Sequence, residues 1–171
     1  MLETILLAST FTIGNITEEG IAAKVCGEMS KGDFVIFDSN GGIVDEFLEL
    51  GNCIYEKGVN SIIIKARSAA AYAASAADKT CYYQDSEVGY HTPHHLIDKT
   101  VVELSVGQLR EHHAKVSKYL NHWGIDFQTI VNINYSAMMT HPTLMFTLRG
   151  DDIKSMVKKS ARCEDVIGGD D

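Results

Sequence analysis

Proline and tryptophan are scarce in these 171 residues, at two and one, and the 15 basic residues are outnumbered by 23 acidic ones. So little proline excludes collagen-like sequences and proline-rich linkers. A net charge of −8 repels phosphate backbones and argues against nucleic acid as a partner. No apolar run approaches the ~20 residues that a membrane span needs. The run Leu2–Ile13 is apolar but lacks a cationic start and carries Glu3, which argues against a signal peptide. The four cysteines, Cys26, Cys53, Cys81 and Cys163, show no C-x-x-C spacing, so reduced thiols in a cytoplasmic setting are expected. There is no internal repeat, low-complexity block or linker. The length fits one domain over residues 1–163, followed by a frayed acidic tail over 164–171.

The chain alternates short apolar runs with amphipathic ones. Thr4–Ala8, Phe34–Phe37 and Ser61–Lys65 read as buried strands, and Thr80–Gln84, Glu87–Tyr90 and Leu144–Leu148 as further strands. Thr17 is placed to cap a helix that turns Ile21, Val25 and Met29 inward, with Glu18 and Glu19 at its positive end. A second helix is expected over Ile43–Lys57, stopped by Gly58. Ser68–Asp78 is so rich in alanine that it reads as a helix buried between layers. A long amphipathic helix is expected over Asp98–Trp123, with a possible break at Gly107, and a short one over Asp151–Lys158, while Asp126–Ser136 is ambiguous. Such alternation predicts an α/β fold with a mostly parallel sheet.

Ligands of open α/β sheets bind at the carboxyl ends of strands. Two turns there carry chemistry. Asp38-Ser39-Asn40-Gly41-Gly42 follows the strand Phe34–Phe37, and its paired glycines let main-chain N–H groups face a ligand, although no dinucleotide or P-loop signature is present. Ala66-Arg67-Ser68-Ala69 leads from a strand into the alanine-rich helix. Ser68 is either a plain N-cap or a nucleophile raised on a sharp turn. A serine nucleophile needs a base, and His91, at the end of Glu87–Tyr90 and before Thr92-Pro93, is so placed. His91, His94 and His95, with His112-His113, invite a metal reading, but H-E-x-x-H is absent, and no metal and no cofactor are expected.

Taken in order, Phe34–Gly42, Ala66-Arg67-Ser68-Ala69-Ala70 and Ser86–Pro93 with its His91-Thr92-Pro93 ending resemble the proteolytic subunit of the Clp protease family. The likeness covers Phe11 to Pro93 and, more loosely, the helix beyond. It implies a ClpP/crotonase-like spiral of ββα units with a mostly parallel sheet and a long handle helix at Asp98–Trp123. It also implies a serine-type peptidase that cleaves short or unfolded polypeptides through an acyl-enzyme within a homo-oligomeric ring. Carried over, Ser68 would be the nucleophile and His91 the general base, with the N–H groups of Gly42 and Ala69 as oxyanion hole. The chain departs from the family at Asn40, where proline is usual, and at His94-His95, where glycines follow. The triad acid has no counterpart, since no Asp or Glu stands between Asp126 and Asp151; Asn132, Asn134, His141 or Asp98 are the candidates to replace it. The family's pore-lining N-terminal segment is also missing, so an ATPase unfoldase partner is not expected. Rival readings are an inactive ClpP-like scaffold and a crotonase-type acyl-CoA enzyme.

Overall fold

The computed structural model describes residues 8–157 and 159–167. The expected strand at Thr4–Ala8 lies, apart from Ala8, outside them. The described chain opens with β1 (Thr10–Ile13), followed by α1 (Ile21–Glu28), β2 (Phe34–Ser39), α2 (Val44–Lys57), β3 (Asn60–Arg67), α3 (Ala69–Ala74) and β4 (Thr80–Tyr90). A hairpin of β5 (His94–Ile97) and β6 (Thr100–Glu103) precedes α4 (Val106–His122) and α5 (Phe127–Met138). β7 (Phe146–Arg149), a 3₁₀ turn (Gly150–Ser155), β8 (Ser160–Arg162) and α6 (Cys163–Ile167) complete the order.

Strands β1, β2, β3 and β4 lie side by side, all parallel. The free edge of β4 is shared. Its first half pairs with β8 in parallel and its second half with β7 antiparallel. The α/β fold with a mostly parallel sheet is therefore as expected. The apolar runs explain it in part: Val35, Phe37, Ile63 and Val88 are fully buried, while the alternate residues Ile36 and Ile62 are half-buried and Ile64 is exposed, so one face is covered more completely than the other. Thr80–Tyr90 is one long strand where two were expected. Ser86 sits within it and accepts from the Tyr83 N–H at 2.8 Å, so the interruption is a local irregularity against β3 and not a turn.

Helix ends follow local chemistry. α2 stops at Gly58, which adopts the left-handed conformation (φ 64°). α1 is not capped by Thr17. Its N-cap is Gly20, and the donors of Gly20 and Ala22 are taken by the buried carboxylate of Glu46, each at 2.8 Å. Every residue of α3 is buried, the place between layers that its alanines suggested.

The expected helix over Asp98–Trp123 begins only at Val106. Asp98 and Lys99 both adopt positive φ (48° and 64°), which closes a two-residue hairpin, and the β-branched run Thr100-Val101-Val102 pairs with His95–Ile97. Ser105 and Gln108 then form a capping box that starts α4. The segment after Asp126 is helical, with the Asp126 carboxylate accepting from the Thr129 N–H at 3.0 Å.

The cysteines correct the expectation of reduced thiols, and with it the ground for a cytoplasmic setting. Cys26 of α1 is bonded to Cys53 of α2, and Cys81 of β4 to Cys163 of α6. Cys163 opens α6, which carries the chain to Ile167; of the tail expected over 164–171, residues 168–171 lie outside the described chain. Among the described residues no helix is long and apolar enough to cross a membrane.

Candidate active site

The carboxyl ends of β2, β3 and β4 meet at one mouth. β3 ends at Arg67, and the chain turns into α3 through Ser68, held at φ 55°, ψ −129°. An L-residue rarely adopts such a conformation, which costs about 1–3 kcal/mol and persists only where the surroundings impose it. They do so here. The Ser68 N–H donates to the Gly89 carbonyl at 2.8 Å, and Arg67 pairs with Glu87, which also accepts from Arg149 Nε at 2.8 Å. These bonds clamp β3, β4 and β7 at the level of the turn.

β4 ends at Tyr90, which delivers His91. Its Nε2 lies 2.7 Å from Ser68 Oγ. Its Nδ1 lies 2.9 Å from the Thr92 carbonyl oxygen, an acceptor only, so the proton belongs on Nδ1 and Nε2 is left to accept from the serine hydroxyl. Burial, with His94 next to it (ring centroids 5.1 Å apart), holds the His91 pKa below the ordinary 6.5; the carbonyls of Thr92 and Pro142 work the other way. The imidazole is thus neutral and able to take a proton at neutral pH.

β2 supplies the glycine turn. Gly41 (φ 102°) passes so close to the elbow that a β-carbon on it would lie 2.7 Å from Ser68 Cβ. Gly42 bridges Ile16 in parallel register, and in such a bridge the bonds run from Ile43 N–H to the Ile16 carbonyl (2.9 Å) and from Ile16 N–H to the Gly41 carbonyl (3.3 Å). The N–H of Gly42 itself therefore points away from Ile16. Among the described residues neither that N–H nor that of Ala69 has a hydrogen-bond acceptor. Asn40 donates its N–H to Asn15 Oδ1 at 2.7 Å, so a side chain steadies the turn.

Ser68, His91, Gly41 and Gly42 line a cavity of about 720 Å³, with Tyr72 and His112 among its walls. Its lining includes no Lys, Arg, Asp or Glu. Tyr72, four residues beyond Ser68, lies between Tyr90 (ring centroids 6.0 Å apart) and His112 (6.2 Å) in tilted ring contacts, and burial drives its phenol pKa up. Burial also takes His112 down to about 4, so this ring is neutral as well. Sequence reasoning gave Tyr72 and Asn15 no place at the site and considered His112 only as a metal ligand; the spacing of one helical turn between Ser68 and Tyr72 is a signal that could have found Tyr72.

No candidate for the missing acid reaches His91. Asn132 accepts from Gln128, Asn134 bonds His113 and Ser117, His141 bonds Thr143, and Asp98 sits in the hairpin turn. His94 and His95 line the same cavity as His91, but among the described residues no three His, Cys, Asp or Glu side chains are grouped to hold a metal ion.

No protein-family profile matches the chain, and no curated protein matches it in sequence. Among solved structures it is similar to the 1510-N membrane-bound stomatin-specific protease, a serine-to-alanine mutant, with a TM-score of 0.69 at 11% identity over 94% of this chain and 82% of that one. At that identity the likeness is one of fold: this chain shares its architecture with a protease.

Proposed function

We propose that this protein is a ClpP-like serine peptidase acting on short or unfolded polypeptides. The observation that carries the reading is the 2.7 Å contact between Ser68 Oγ and His91 Nε2, made by a serine in a strained turn at the mouth of the sheet. Oγ attacks the scissile carbonyl carbon as its proton passes to Nε2. The oxyanion so formed takes the N–H groups of Gly42 and Ala69, donors worth about 3–4 kcal/mol each where such groups have been removed from hydrolases. The C–N bond then breaks, and His91 returns the proton to the leaving amine. Water, deprotonated by the same imidazole, attacks the acyl-enzyme, and the acid product leaves as Ser68 regains its proton.

The peptide lies extended along the mouth in this reading. The reading extends to a homo-oligomer. Support for that comes from α5, where Phe127, Val131, Tyr135 and Met138 form an exposed apolar stripe, with Phe127 80% exposed. A second copy is the occupant proposed for it, and a native mass at the monomer would count against this extension.

A fluorophosphonate probe tests the chemistry. Wild type should label at Ser68 and hydrolyse unstructured peptides; Ser68→Ala should do neither, and His91→Ala should label at least 10²-fold more slowly. A folded wild type that neither labels nor cleaves any peptide sinks the peptidase and leaves a scaffold. Thermal stabilisation by coenzyme A without labelling would favour the acyl-CoA enzyme.

A further inference from the structure

In a serine–histidine–acid triad the third group holds the imidazole in one tautomer and one orientation. Here the groups that act on His91 are Ser68, His94 and main-chain carbonyls, and no carboxylate is among them. We propose that Thr92 is the positioning residue for His91, its main-chain carbonyl taking the Nδ1 proton while its side chain fixes that carbonyl to the end of α5. This rests on the peptidase reading of Ser68 and His91.

Three contacts fix Thr92. Its hydroxyl lies against two carbonyls, that of Ala137 at 2.7 Å and that of Thr140. Its N–H donates to the Thr140 carbonyl at 3.3 Å. α5 ends at Met138, and the Ala137 carbonyl, which already accepts from the Thr140 N–H at 3.4 Å, takes the Thr92 hydroxyl on its second lone pair. A β-branched side chain adds stiffness, since its χ1 has few choices. The carbonyl of Thr92 is in this way tied to a helix end some fifty residues on in sequence, and the imidazole of His91 hangs from it at 2.9 Å. Pro93 follows directly and closes the loop against drift.

A carbonyl orients as a carboxylate does but brings a dipole in place of a full charge. It therefore selects the tautomer that leaves Nε2 free for Ser68 and supports the imidazolium only weakly. The groups facing His91 agree: His94 from β5 opposes its protonation, His112 from α4 is neutral, and the Ser68 hydroxyl from the β3–α3 turn is uncharged.

The test combines three proteins and one spectrum. Thr92→Val keeps the shape and loses the hydroxyl; Thr92→Ser keeps the hydroxyl. Fluorophosphonate labelling of Ser68 is followed from pH 4.5 to 9 in wild type and both variants. Thr92→Val should slow the limiting rate about 10- to 100-fold, since small misplacements of a reacting group cost that much. Its acidic inflection should also move down, because the carbonyl's support of the imidazolium weakens. Thr92→Ser should stay within about threefold of wild type in rate, with the inflection unmoved. A structural role alone would lower the folded fraction and leave the inflection in place. Equal rates and inflections in Thr92→Val and wild type overturn the proposal.

The ¹⁵N spectrum of the His91 ring in wild-type protein decides independently of labelling and of whether Thr92→Val folds. A proton on Nδ1, with Nε2 bare, is expected; a proton on Nε2 overturns the proposal. Wild type that never labels, yet shows the Nδ1 proton, fails the peptidase reading and leaves the Thr92–His91 geometry standing.

Discussion

Gly42 lies so close to Ile16 that a β-carbon on the glycine would come within 1.9 Å of the Ile16 carbonyl oxygen. Its φ of 147° is also one that side-chain-bearing residues avoid. The bridge to Ile16 is what turns the Gly42 N–H outward, so the residue's bareness and its proposed role as a donor have one cause. Gly42→Ala is expected to lose about 1–3 kcal/mol of stability by urea denaturation, the usual cost of forcing atoms into a filled space. The fraction that folds should label at Ser68 about 10²-fold or more slowly, as when one oxyanion donor is lost. Unchanged labelling would remove Gly42 from the oxyanion hole.

Ser68 is strained where it stands, and strain can be measured by relieving it. At φ 55° and ψ −129° a glycine is at ease and a serine is not. Ser68→Gly is therefore expected to stabilise the protein by roughly 1 kcal/mol, the strain removed less the larger entropy glycine loses on folding. Labelling is lost altogether. Ser68→Ala, which keeps the β-carbon and so the strain, should be inactive without the gain. If both variants are equally stable, the turn is not held under strain.

Ser68, His91 and the glycine turn were legible because their chemistry leaves local marks: a small-residue elbow, a histidine two before proline, and paired glycines after a strand. The parallel sheet was legible for the same kind of reason, from the unbroken apolar runs at Phe34–Phe37 and Ser61–Lys65. Thr92 was not, since it acts on His91 through a carbonyl that any residue would carry, and its anchor points, Ala137 and Thr140, lie on a distant helix end. The β5–β6 hairpin was hidden by spacing. Leu104, Leu109, Val116, Leu120 and Trp123 read as the apolar positions of one long helix, and the positive φ of Asp98 and Lys99, which closes the hairpin, is what keeps its first residues out of it. Glu46 capping α1 across to Gly20 and Ala22 is a tertiary event with no sequence signature.

The disulfides are the largest departure from what composition suggested, and they are open to direct measurement. In the unreduced, unfolded protein no cysteine among the four should react with iodoacetamide. Removing a bond frees the unfolded chain, more so for the longer loop. By the chain-entropy rule the cost is roughly 3–4 kcal/mol for Cys26–Cys53, 27 residues apart, and 4–5 kcal/mol for Cys81–Cys163, 82 apart. The double variants Cys26→Ala/Cys53→Ala and Cys81→Ala/Cys163→Ala should show these losses in urea midpoints, in that order. A protein with four free thiols and the same stability after reduction would contradict both bonds.

Acid should act on this protein twice, through activity and through stability, and both effects have the same sign. His91 must be neutral to accept the serine proton, and burial next to His94 holds its pKa below the ordinary 6.5. The labelling rate should accordingly stay at its plateau below pH 6.5 and fall only in more acid solution. His112 is held at about 4 by burial, with His113 and Lys115 adding to the effect. The unfolded chain binds a proton at that residue near pH 6.5 whereas the folded chain resists until about 4. Its contribution to stability is therefore fully present above 6.5 and is lost as pH falls from there through 4. Asp151, whose carboxyl is held far below its usual range by Arg162 and Tyr82, loses its contribution only near and below the ordinary carboxylate range, beneath pH 5.0, whereas His91, also held below 6.5, adds to the loss from His112 with the same sign. Urea denaturation at pH 7.5 and 5.0 should show lower stability at 5.0. His112→Phe, which keeps a ring against Tyr72, should narrow the difference. If His112→Phe leaves the difference untouched, the acid sensitivity arises elsewhere.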